Sequence, residues 1–433
     1  RLSGVISGTG TSDLRINEQN GNNYQRSLLE LTGVNTFSQT LRIHRSEVFA
    51  VDGVGLPNAS RVMFDSNDDN NPSILLGNGT LTREIGNTAG QFVYWNQRGG
   101  FGARGGPLTV TLESGATLAW NDGNTGFRSQ NLHLNGLYAD DLMELVNDIA
   151  LAGNRQIWVY DNPATDQDVA LLSGIISGSG NELRKRANSN TELAGTVWLT
   201  GANTYSGRTW IDQGTIRAVD GVGLPTGSQL YFEGDSENYP VSFESSGTFT
   251  RNIGTSAGEV YWQEEGGFSA HGGPLLVNLE GGVELDWGSA TTGFRGQRLS
   301  MGSYSANDVT EMQNDIDLNG NRNLYVHDNP YSENDYTLFS GNLRDGANNL
   351  QIYRTGTVKF SGNNTFNFLN VRDTAKVFVD GTTTVTGEAR TENNNASTLG
   401  GSGTLTASTF NINLLGTLAP GSSAGTLTTV ISS

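Results

Sequence analysis

The chain has no cysteine among its 433 residues, which excludes disulfides, thiolate metal sites and cysteine nucleophiles. It has no apolar run long enough to span a membrane, and no basic segment followed by an apolar stretch stands at its N-terminus. Since the chain begins at Arg1 and not at Met, we expect that an upstream segment was removed. A protein of this length without disulfides must be held together by its core and by backbone pairing.

Positive charge is also scarce, since 26 Lys and Arg oppose 44 Asp and Glu and give a formal net charge of −18. Such a surface repels nucleic acid and anionic lipid, so we expect neither as a partner. Proline is rare at 9 residues, whereas glycine reaches 58. This composition suits many short strands joined by tight turns.

The chain repeats itself with an almost constant offset. Residues 50–57 return as 218–225, 168 positions later, and the triplet Asp-Asn-Pro at 161–163 returns at 328–330, 167 positions later. Internal repeats of this kind indicate a stacked architecture. We therefore predict three β-solenoid segments: a first unit over 1–172, a duplicated second over 173–339, and a shortened third with C-terminal rungs over 340–433.

Apolar residues alternate with polar ones in many short segments, such as Leu108, Val110 and Leu112. This period of two indicates strands with one buried face. The repeat is too long for a propeller blade, and its constant offset favours stacked rungs of roughly 20 to 25 residues. We predict an all-β, parallel β-helix (β-solenoid) fold. One helical pattern, centred on Leu142 and Leu145, predicts a short helical turn within 139–146.

The sequence Leu-Thr-Gly-Ala-Asn-Thr-Tyr at 199–205 recurs in similar form at 31–37 and 360–366, and glycine-rich pieces at 399–405 and 416–427 fit the same pattern. These segments closely resemble the autotransporter-associated β-strand repeat. The resemblance implies a right-handed parallel β-helix, exported and displayed outside a bacterial cell. It implies adhesion, aggregation or scaffolding more often than catalysis. The usual autotransporter has a C-terminal translocator barrel; because the sequence ends at Ser433 without one, we expect either that the barrel was removed or that the protein leaves the cell by another route.

Because the chain is duplicated, a catalytic or metal-binding site that was present in the ancestral unit should occur in both copies. The four histidines fail this test, and we interpret them as solvent-facing polar residues; they are His44, His133, His271 and His327. We predict no catalytic residue and no bound cofactor. Two acidic loops that end in proline could hold Ca²⁺ through oxygen ligands, although a solvated loop is the favoured alternative. Their candidate ligands are Asp65, Asp68, Asp69, Asp235 and Glu237.

Aromatic residues recur in both copies, and most are expected to stack in the core, as for Phe64 and Trp120. Tyr94 and Trp95 are adjacent, so in a strand they point to opposite faces. One of them should then be exposed and could contact a glycan or a neighbouring subunit. The predicted contact residues are Tyr94, Trp95 and Phe101 in the first copy and Tyr261, Trp262 and Phe268 in the second.

Three functions remain open at this stage. The favoured one is an extracellular structural subunit that self-associates end to end into a fibre or surface layer, because neither 3–8 nor 404–430 resembles a solenoid cap. The alternative is a monomeric adhesin that binds glycans, a surface receptor or biofilm matrix. A polysaccharide hydrolase or lyase is the least favoured, since the acidic pair Asp140 and Asp141 becomes Asn307 and Asp308 in the second copy.

Overall fold

The computed structural model describes residues 1–10, 12–17, 27–88, 90–121, 126–128, 130–187, 194–234, 237–289, 291–296, 298–393, 395–421 and 427–431. These residues form an all-β protein with long parallel sheets. None of them belongs to a helix long and apolar enough to cross a membrane. Packing divides the chain into two compact units, unit 1 (Arg1–Ser228) and unit 2 (Gln229–Ser433). The repeat boundaries predicted from the sequence (1–172, 173–339 and 340–433) differ from these two units and stay a prediction.

Unit 1 contains nineteen strands in its described residues. They are β1 (Leu14–Asn17), β2 (Leu28–Leu31), β3 (Leu41–His44), β4 (Glu47–Ala50), β5 (Val62–Phe64), β6 (Ser73–Ile85), β7 (Phe92–Trp95), β8 (Gly99–Leu112), β9 (Leu118–Trp120), β10 (Leu132–Leu134), β11 (Met143–Leu145), β12 (Ile149–Leu151), β13 (Arg155–Val159), β14 (Ala170–Leu172), β15 (Ile176–Ser177), β16 (Leu183–Arg186), β17 (Thr196–Leu199), β18 (Thr209–Ile211) and β19 (Gly214–Ala218). One 3₁₀ turn, Glu113–Gly115, follows β8.

The strands of unit 1 pair in parallel with strands of the next rung. One series runs β8–β10–β13–β16–β18, and another runs β8–β11–β14–β17–β19. A short series is β9–β12–β15. Earlier in the chain, β1–β3–β5–β7 and β2–β4–β6–β8 pair in the same way. A chain that returns repeatedly to lay a parallel strand beside the previous one has a β-solenoid-like architecture.

Unit 2 contains twenty-one strands in its described residues. They are β20 (Leu230–Phe232), β21 (Val241–Phe249), β22 (Val260–Trp262), β23 (Gly267–Val277), β24 (Leu285–Asp286), β25 (Arg298–Met301), β26 (Thr310–Met312), β27 (Ile316–Asp317), β28 (Arg322–Val326), β29 (Thr337–Phe339), β30 (Leu343–Arg344), β31 (Asn349–Arg354), β32 (Thr357–Phe360), β33 (Asn363–Phe366), β34 (Phe368–Val371), β35 (Lys376–Val379), β36 (Thr382–Thr391), β37 (Thr398–Gly401), β38 (Thr404–Asn411), β39 (Thr417–Pro420) and β40 (Thr428–Ile431). A 3₁₀ turn, Glu280–Gly282, precedes β24.

Unit 2 repeats the parallel arrangement. Its two long series are β21–β23–β26–β29–β32–β35–β37–β39 and β25–β28–β31–β34–β36–β38–β40. A short series, β24–β27–β30, completes the coil. The predicted alternation is confirmed, because Leu275 and Val277 of β23 are buried while Leu276 between them is not.

Two details of the sequence prediction are wrong. Residues 139–146 form no helix; β11 lies there, because Met143 and Leu145 point inward in the alternating pattern of a strand. Rung lengths also vary more than expected, since Leu108 pairs with Met143, 35 positions later, whereas Val197 pairs with Ile216, 19 positions later. Loops of different length leave the coil between the strands.

Buried asparagines join successive rungs where the chain turns; we call them corner asparagines. The Asn203 Oδ1 accepts a hydrogen bond from the Ile176 backbone N–H at 2.7 Å, and its Nδ2 donates to the Gly223 carbonyl at 2.8 Å. Asn35 makes the corresponding bonds at 2.8 Å each. This asparagine is the one in the recurring Gly-x-Asn-Thr motif, so the motif supplies an amide that satisfies buried backbone groups on two rungs.

A second pair of corner asparagines recurs with the same bonds in each unit. Asn147 accepts from the Leu112 N–H at 2.8 Å and donates to the Leu112 carbonyl at 2.7 Å. Asn314 makes the equivalent two bonds to Leu279, both at 2.8 Å. Both asparagines are buried, so their loss would leave backbone groups without partners inside the protein.

The motif glycine has its own requirement, because it lies directly against the backbone of the preceding rung. A Cβ atom on Gly201 would lie 2.1 Å from the Gly174 carbonyl oxygen, and one on Gly33 would lie 2.3 Å from the Gly4 carbonyl oxygen. Such distances are far inside van der Waals contact, and the opposing atom is backbone. Any side chain at this position would therefore push the rungs apart.

Replacing Gly201 by Ala should destabilise unit 1 because of this contact. We expect the free energy of unfolding to fall by about 1–3 kcal/mol, as at other overpacked sites. The matched control is Gly227→Ala, whose methyl group would meet no atom within 4 Å. Urea denaturation followed by tryptophan fluorescence measures both variants, and equal free energies of unfolding would contradict the proposed role of the motif glycine.

Candidate functional site

The recurring aromatic residues form a stack in the interior of each unit. The Trp95 ring centroid lies 5.2 Å from that of Phe64 and 5.1 Å from that of Phe127. In unit 2, Trp262 and Phe294 lie 4.9 Å apart. The core position predicted for Phe64 and for the tryptophan of β9 is confirmed, since both are fully buried. Tilted and edge-to-face rings of this kind stabilise a core beyond their buried area.

Four of the predicted contact residues belong to this interior stack. Trp95, Phe101, Trp262 and Phe268 are each at most 1% exposed. Their rings pack against other rings of the same unit, so they present no face to a glycan or a neighbouring subunit. The prediction of an exposed aromatic surface at these four positions is wrong, because they fill the core instead.

The two remaining contact candidates, Tyr94 and Tyr261, point away from the stack but are covered. The Tyr94 hydroxyl accepts a hydrogen bond from Arg128 at 3.0 Å, and the guanidinium lies 5.5 Å from the ring centroid. Tyr261 accepts from Arg295 at 2.8 Å. Both tyrosines are buried, so the recurring Arg and Tyr residues contact each other and leave no open aromatic face at either tyrosine.

The other arginines that recur in both copies form ion pairs or hydrogen bonds with residues of the same chain. Arg83 has a fully buried side chain and pairs with Asp52 at 2.6 Å. The Arg155 Nε donates to the Trp120 carbonyl at 2.9 Å, and the equivalent Arg322 donates to the carbonyl of the equivalent tryptophan. These arginines therefore stabilise turns between rungs.

The candidate calcium ligands of unit 1 already have donor partners. The Asp65 carboxylate binds Arg42 and the amide of Asn96, both at 2.5 Å. The Asp68 carboxylate accepts a hydrogen bond from Asn71 at 2.9 Å. Among the described residues, no group of three or more His, Asp or Glu side chains could hold a metal ion. The structure thus gives these carboxylates arginine and amide partners instead of a shared cation position.

Asp69 lies in the loop of residues 65–72 and binds this loop to side chains of later rungs of unit 1. Its carboxylate binds Arg98 at 2.8 Å and His133 Nε2 at 3.1 Å, and the Tyr160 hydroxyl donates to its backbone carbonyl. Burial alone would raise the pKa of Asp69, but the hydrogen bonds and charge of these partners outweigh burial and lower it. The loop therefore covers an outward-facing histidine instead of standing free in solvent.

The equivalent loop of unit 2 is fastened in a similar way. The Glu237 carboxylate accepts a hydrogen bond from the Tyr325 hydroxyl at 2.6 Å. Burial, and then Glu237 itself, raise the pKa of Tyr325 well above its usual range. Asp235, the other calcium candidate of this loop, lies outside the described residues. An acidic residue at the same repeat position thus holds the loop in both units.

Two histidines contradict the expectation of solvent exposure. His133 and His327 are buried, and burial, followed by the charge of Arg354, lowers the pKa of His327 to about 3. His133 is buried because the 65–72 loop covers it. His44 and His271 are partly buried, and each bonds a backbone carbonyl oxygen at 2.8 Å. The four rings lie in four different environments.

The recurring Asp-Asn-Pro loop encloses a second acid in each unit. The Asn162 N–H donates to Asp168 at 2.8 Å, and the Asn329 N–H donates to Asp335 at 2.6 Å. In unit 1, burial and then the charge of Asp161 raise the pKa of Asp168. In unit 2, burial and then the charge of Asp328 raise the pKa of Asp335 to about 6. Both acids therefore hold their protons more tightly in the folded protein than a free aspartate does.

The raised pKa of Asp335 predicts how the free energy of unfolding depends on pH. Its pKa is about 6 when folded and is expected near 3.9 when unfolded, so the folded state binds more protons between these values. Stability should therefore fall as pH rises from about 4 to about 6, by roughly 2–3 kcal/mol from this group. Asp335→Asn should remove that part of the slope in denaturation measured at several pH values.

The control for this experiment is Glu333→Gln, which removes an exposed charge from the same loop. It should leave the pH slope of the free energy of unfolding unchanged. A slope that survives in Asp335→Asn, or that is lost equally in both variants, would contradict the assignment of Asp335 as a buried acid.

The outward side of β13, β16 and β18 carries a feature that the sequence analysis missed; we call it the Trp–Arg face. It consists of Trp158, Arg184, Arg186, Arg208 and Trp210. The Arg184 guanidinium lies 4.0 Å from the Trp210 ring centroid, with Arg208 at 5.7 Å. Arg186 lies 5.0 Å from the Trp158 ring. Strand register places Arg184 beside Trp210, and Trp158 beside Arg186.

The carboxylate of Asp212 lies among the cations of this face. Asp212 accepts a hydrogen bond from the Arg184 Nε at 2.8 Å and forms an ion pair with Arg186 at 3.1 Å. Arg208 has a longer ion pair, at 3.8 Å, with Glu182. The signal for this face was present in the sequence, since Arg184 and Arg186 alternate with inward residues in the period of a strand. The repeat comparison did not point to it, because Arg184, Arg186 and Arg208 lie in the predicted second copy, 173–339, and were not among the residues that matched the first copy.

Unit 2 has an outward stack of different character. Tyr325 and Tyr353 stack at 4.9 Å, and Arg372 lies 4.8 Å from the Tyr353 ring. Arg372 also forms a close ion pair with Glu392. This stack is therefore mainly aromatic, and its arginine has its own carboxylate partner.

Compared with known proteins, the chain matches no family model, no curated protein and no solved structure.

Proposed function

We propose that the chain is a non-enzymatic structural or adhesive protein of a bacterial cell surface. In this proposal the coil is a right-handed parallel β-helix built from the duplicated units 1–172 and 173–339 and the shortened segment 340–433. One observation carries the proposal. The motif that resembles the autotransporter-associated repeat supplies Gly201 and Asn203 to the contact between rungs, which supports a coil built on this motif. The extracellular location is proposed from the resemblance alone.

The residues that recur in both copies support a scaffold. The corner asparagines, the buried rings and the arginines at the turns bind other parts of the same chain. Duplication that retains such residues extends a coil, because each rung stacks on its neighbours by the same contacts. A coil of this kind suits display or assembly at a surface.

Open strand edges favour assembly. In the described residues β1 pairs on one side with β3, and its inward Leu14 and Ile16 are only half-buried. In unit 2, β39 pairs with β37, and Leu418 is 44% exposed. In the described residues no second strand lies beside β1 or β39, and a strand edge with uncovered apolar residues is a template for another strand. We propose that these edges pair between copies of the chain, giving a fibre or a surface layer.

Negative-stain electron microscopy of the purified chain tests this assembly, with and without added Ca²⁺. We expect filaments or ordered arrays in both conditions. Leu418→Lys should abolish them, because a charge on the edge strand blocks pairing. Isolated particles of the unmodified chain at high concentration would contradict the assembly proposal.

The matched control is Val283→Lys, which places the same charge on an exposed valine away from both edges. Filaments should persist in this variant. Loss of filaments in both variants would show that added charge, and not the edge strand, controls assembly, and would overturn the role proposed for β39.

A monomeric adhesin is the second candidate function. The Trp–Arg face favours it, because partly exposed arginine and indole groups are a common basis for recognition. This candidate does not require open edges, so the two proposals can be tested separately.

A further inference from the structure

We propose that the Trp–Arg face of unit 1 binds a linear acidic polysaccharide through the carboxylate groups of its sugar units. This inference deepens the adhesive form of the proposed function and rests on it. The spacing, the rigidity and the charge of the face favour such a ligand.

Two cations of the face, Arg184 and Arg186, lie on β16, and Arg208 directly precedes the neighbouring strand β18. Register aligns β13, β16 and β18 side by side, and adjacent strands are about 4.8 Å apart. The side chains of Arg184, Arg186 and Arg208 are 27%, 28% and 40% exposed. A chain of repeating anionic units that runs across the strands can therefore meet one guanidinium after another.

The guanidinium groups are held in place before a ligand arrives. Arg184 and Arg208 lie near Trp210, and Arg186 lies over Trp158. The edge of a guanidinium that stacks on an indole matches the geometry of a carboxylate, as the contact between Arg184 and Asp212 illustrates. Because less side-chain entropy is lost on binding, stacking of this kind favours affinity.

The local charge is opposite to that of the whole chain. At this face three arginines, Arg184, Arg186 and Arg208, pair with two carboxylates, Asp212 and Glu182. In the full chain, by contrast, 26 Lys and Arg oppose 44 Asp and Glu. A cationic patch on an acidic protein attracts the anionic groups of a ligand and orients it.

The contrast between this face and the acidic surface around it favours a slender polysaccharide over nucleic acid. A duplex carries dense charge over a wide surface and needs many phosphate contacts, and the surrounding acidic surface would repel it. A single carboxylated sugar chain is narrow enough to contact this face alone. The exposed part of the Trp210 indole can also pack against the C–H groups of a sugar ring.

The test measures binding of the full chain to oligosaccharides of alginate by isothermal titration calorimetry. Dextran serves as the neutral comparison and polyphosphate as the non-sugar polyanion. We expect binding to alginate that weakens as salt is added, with no binding to dextran and weaker binding to polyphosphate. Binding to dextran at equal strength, or tighter binding to polyphosphate, would overturn the inference.

The variant R186Q/R208Q should weaken alginate binding at least tenfold. It keeps Arg184 as the partner of Asp212, so that no buried carboxylate loses all its cations. The matched control is R390Q in unit 2, since Arg390 also stacks on a ring, at 4.6 Å from Phe368, and has an ion pair at 3.8 Å and a 39% exposed side chain. The control should bind alginate as the unmodified chain does.

Circular dichroism and thermal unfolding establish that each variant is folded. Unchanged alginate binding by a folded R186Q/R208Q variant would overturn the inference, as would an equal loss in R390Q. Failure of alginate binding leaves the assembly result unaffected, because filaments depend on β1 and β39 and not on this face.

Discussion

Parallel strands that stack in a coil leave backbone N–H and C=O groups at every turn, and those groups need partners inside the protein. Corner asparagines supply these partners in both units. One amide group has a donor and an acceptor, so a single side chain can bind a backbone N–H and a backbone carbonyl at once, as Asn147 does at Leu112. The motif glycine allows the rungs to approach closely enough for these bonds. Rung spacing, the ring stack and the register of outward residues all follow from this contact.

Because the strands stack in register, the two sides of each strand have different roles. Inward positions are occupied by stacked rings and aliphatic side chains, so the large aromatic residues that recur in both copies stabilise the coil. Outward positions are free to differ between copies. His133 of β10 corresponds to Ser300 of β25, and Arg186 of β16 corresponds to Tyr353 of β31. Features that could recognise a ligand are therefore expected among residues that the duplication did not retain.

Much of the fold could be predicted from the sequence, because period two at residues such as Leu108 and Val110 is a local property of a strand. The helix predicted at 139–146 was wrong because Met143 and Leu145 satisfy a strand pattern that overlaps the helical one. The burial of His133 could not be predicted, since it depends on Asp69, 64 residues earlier in the chain. Exposure of the recurring aromatic residues was overestimated for the same reason: covering loops and neighbouring rungs are not local in sequence.

Hydrogen exchange at two leucine amides tests the central claim most directly. The Leu112 N–H donates to Asn147 and the Leu279 N–H donates to Asn314, each at 2.8 Å. In an Asn147→Ala variant, exchange at Leu112 should accelerate by about tenfold or more, while Leu279 keeps its protection as an internal control. Unchanged exchange at Leu112, in a variant that remains folded, would contradict the claim that corner asparagines hold the rungs together.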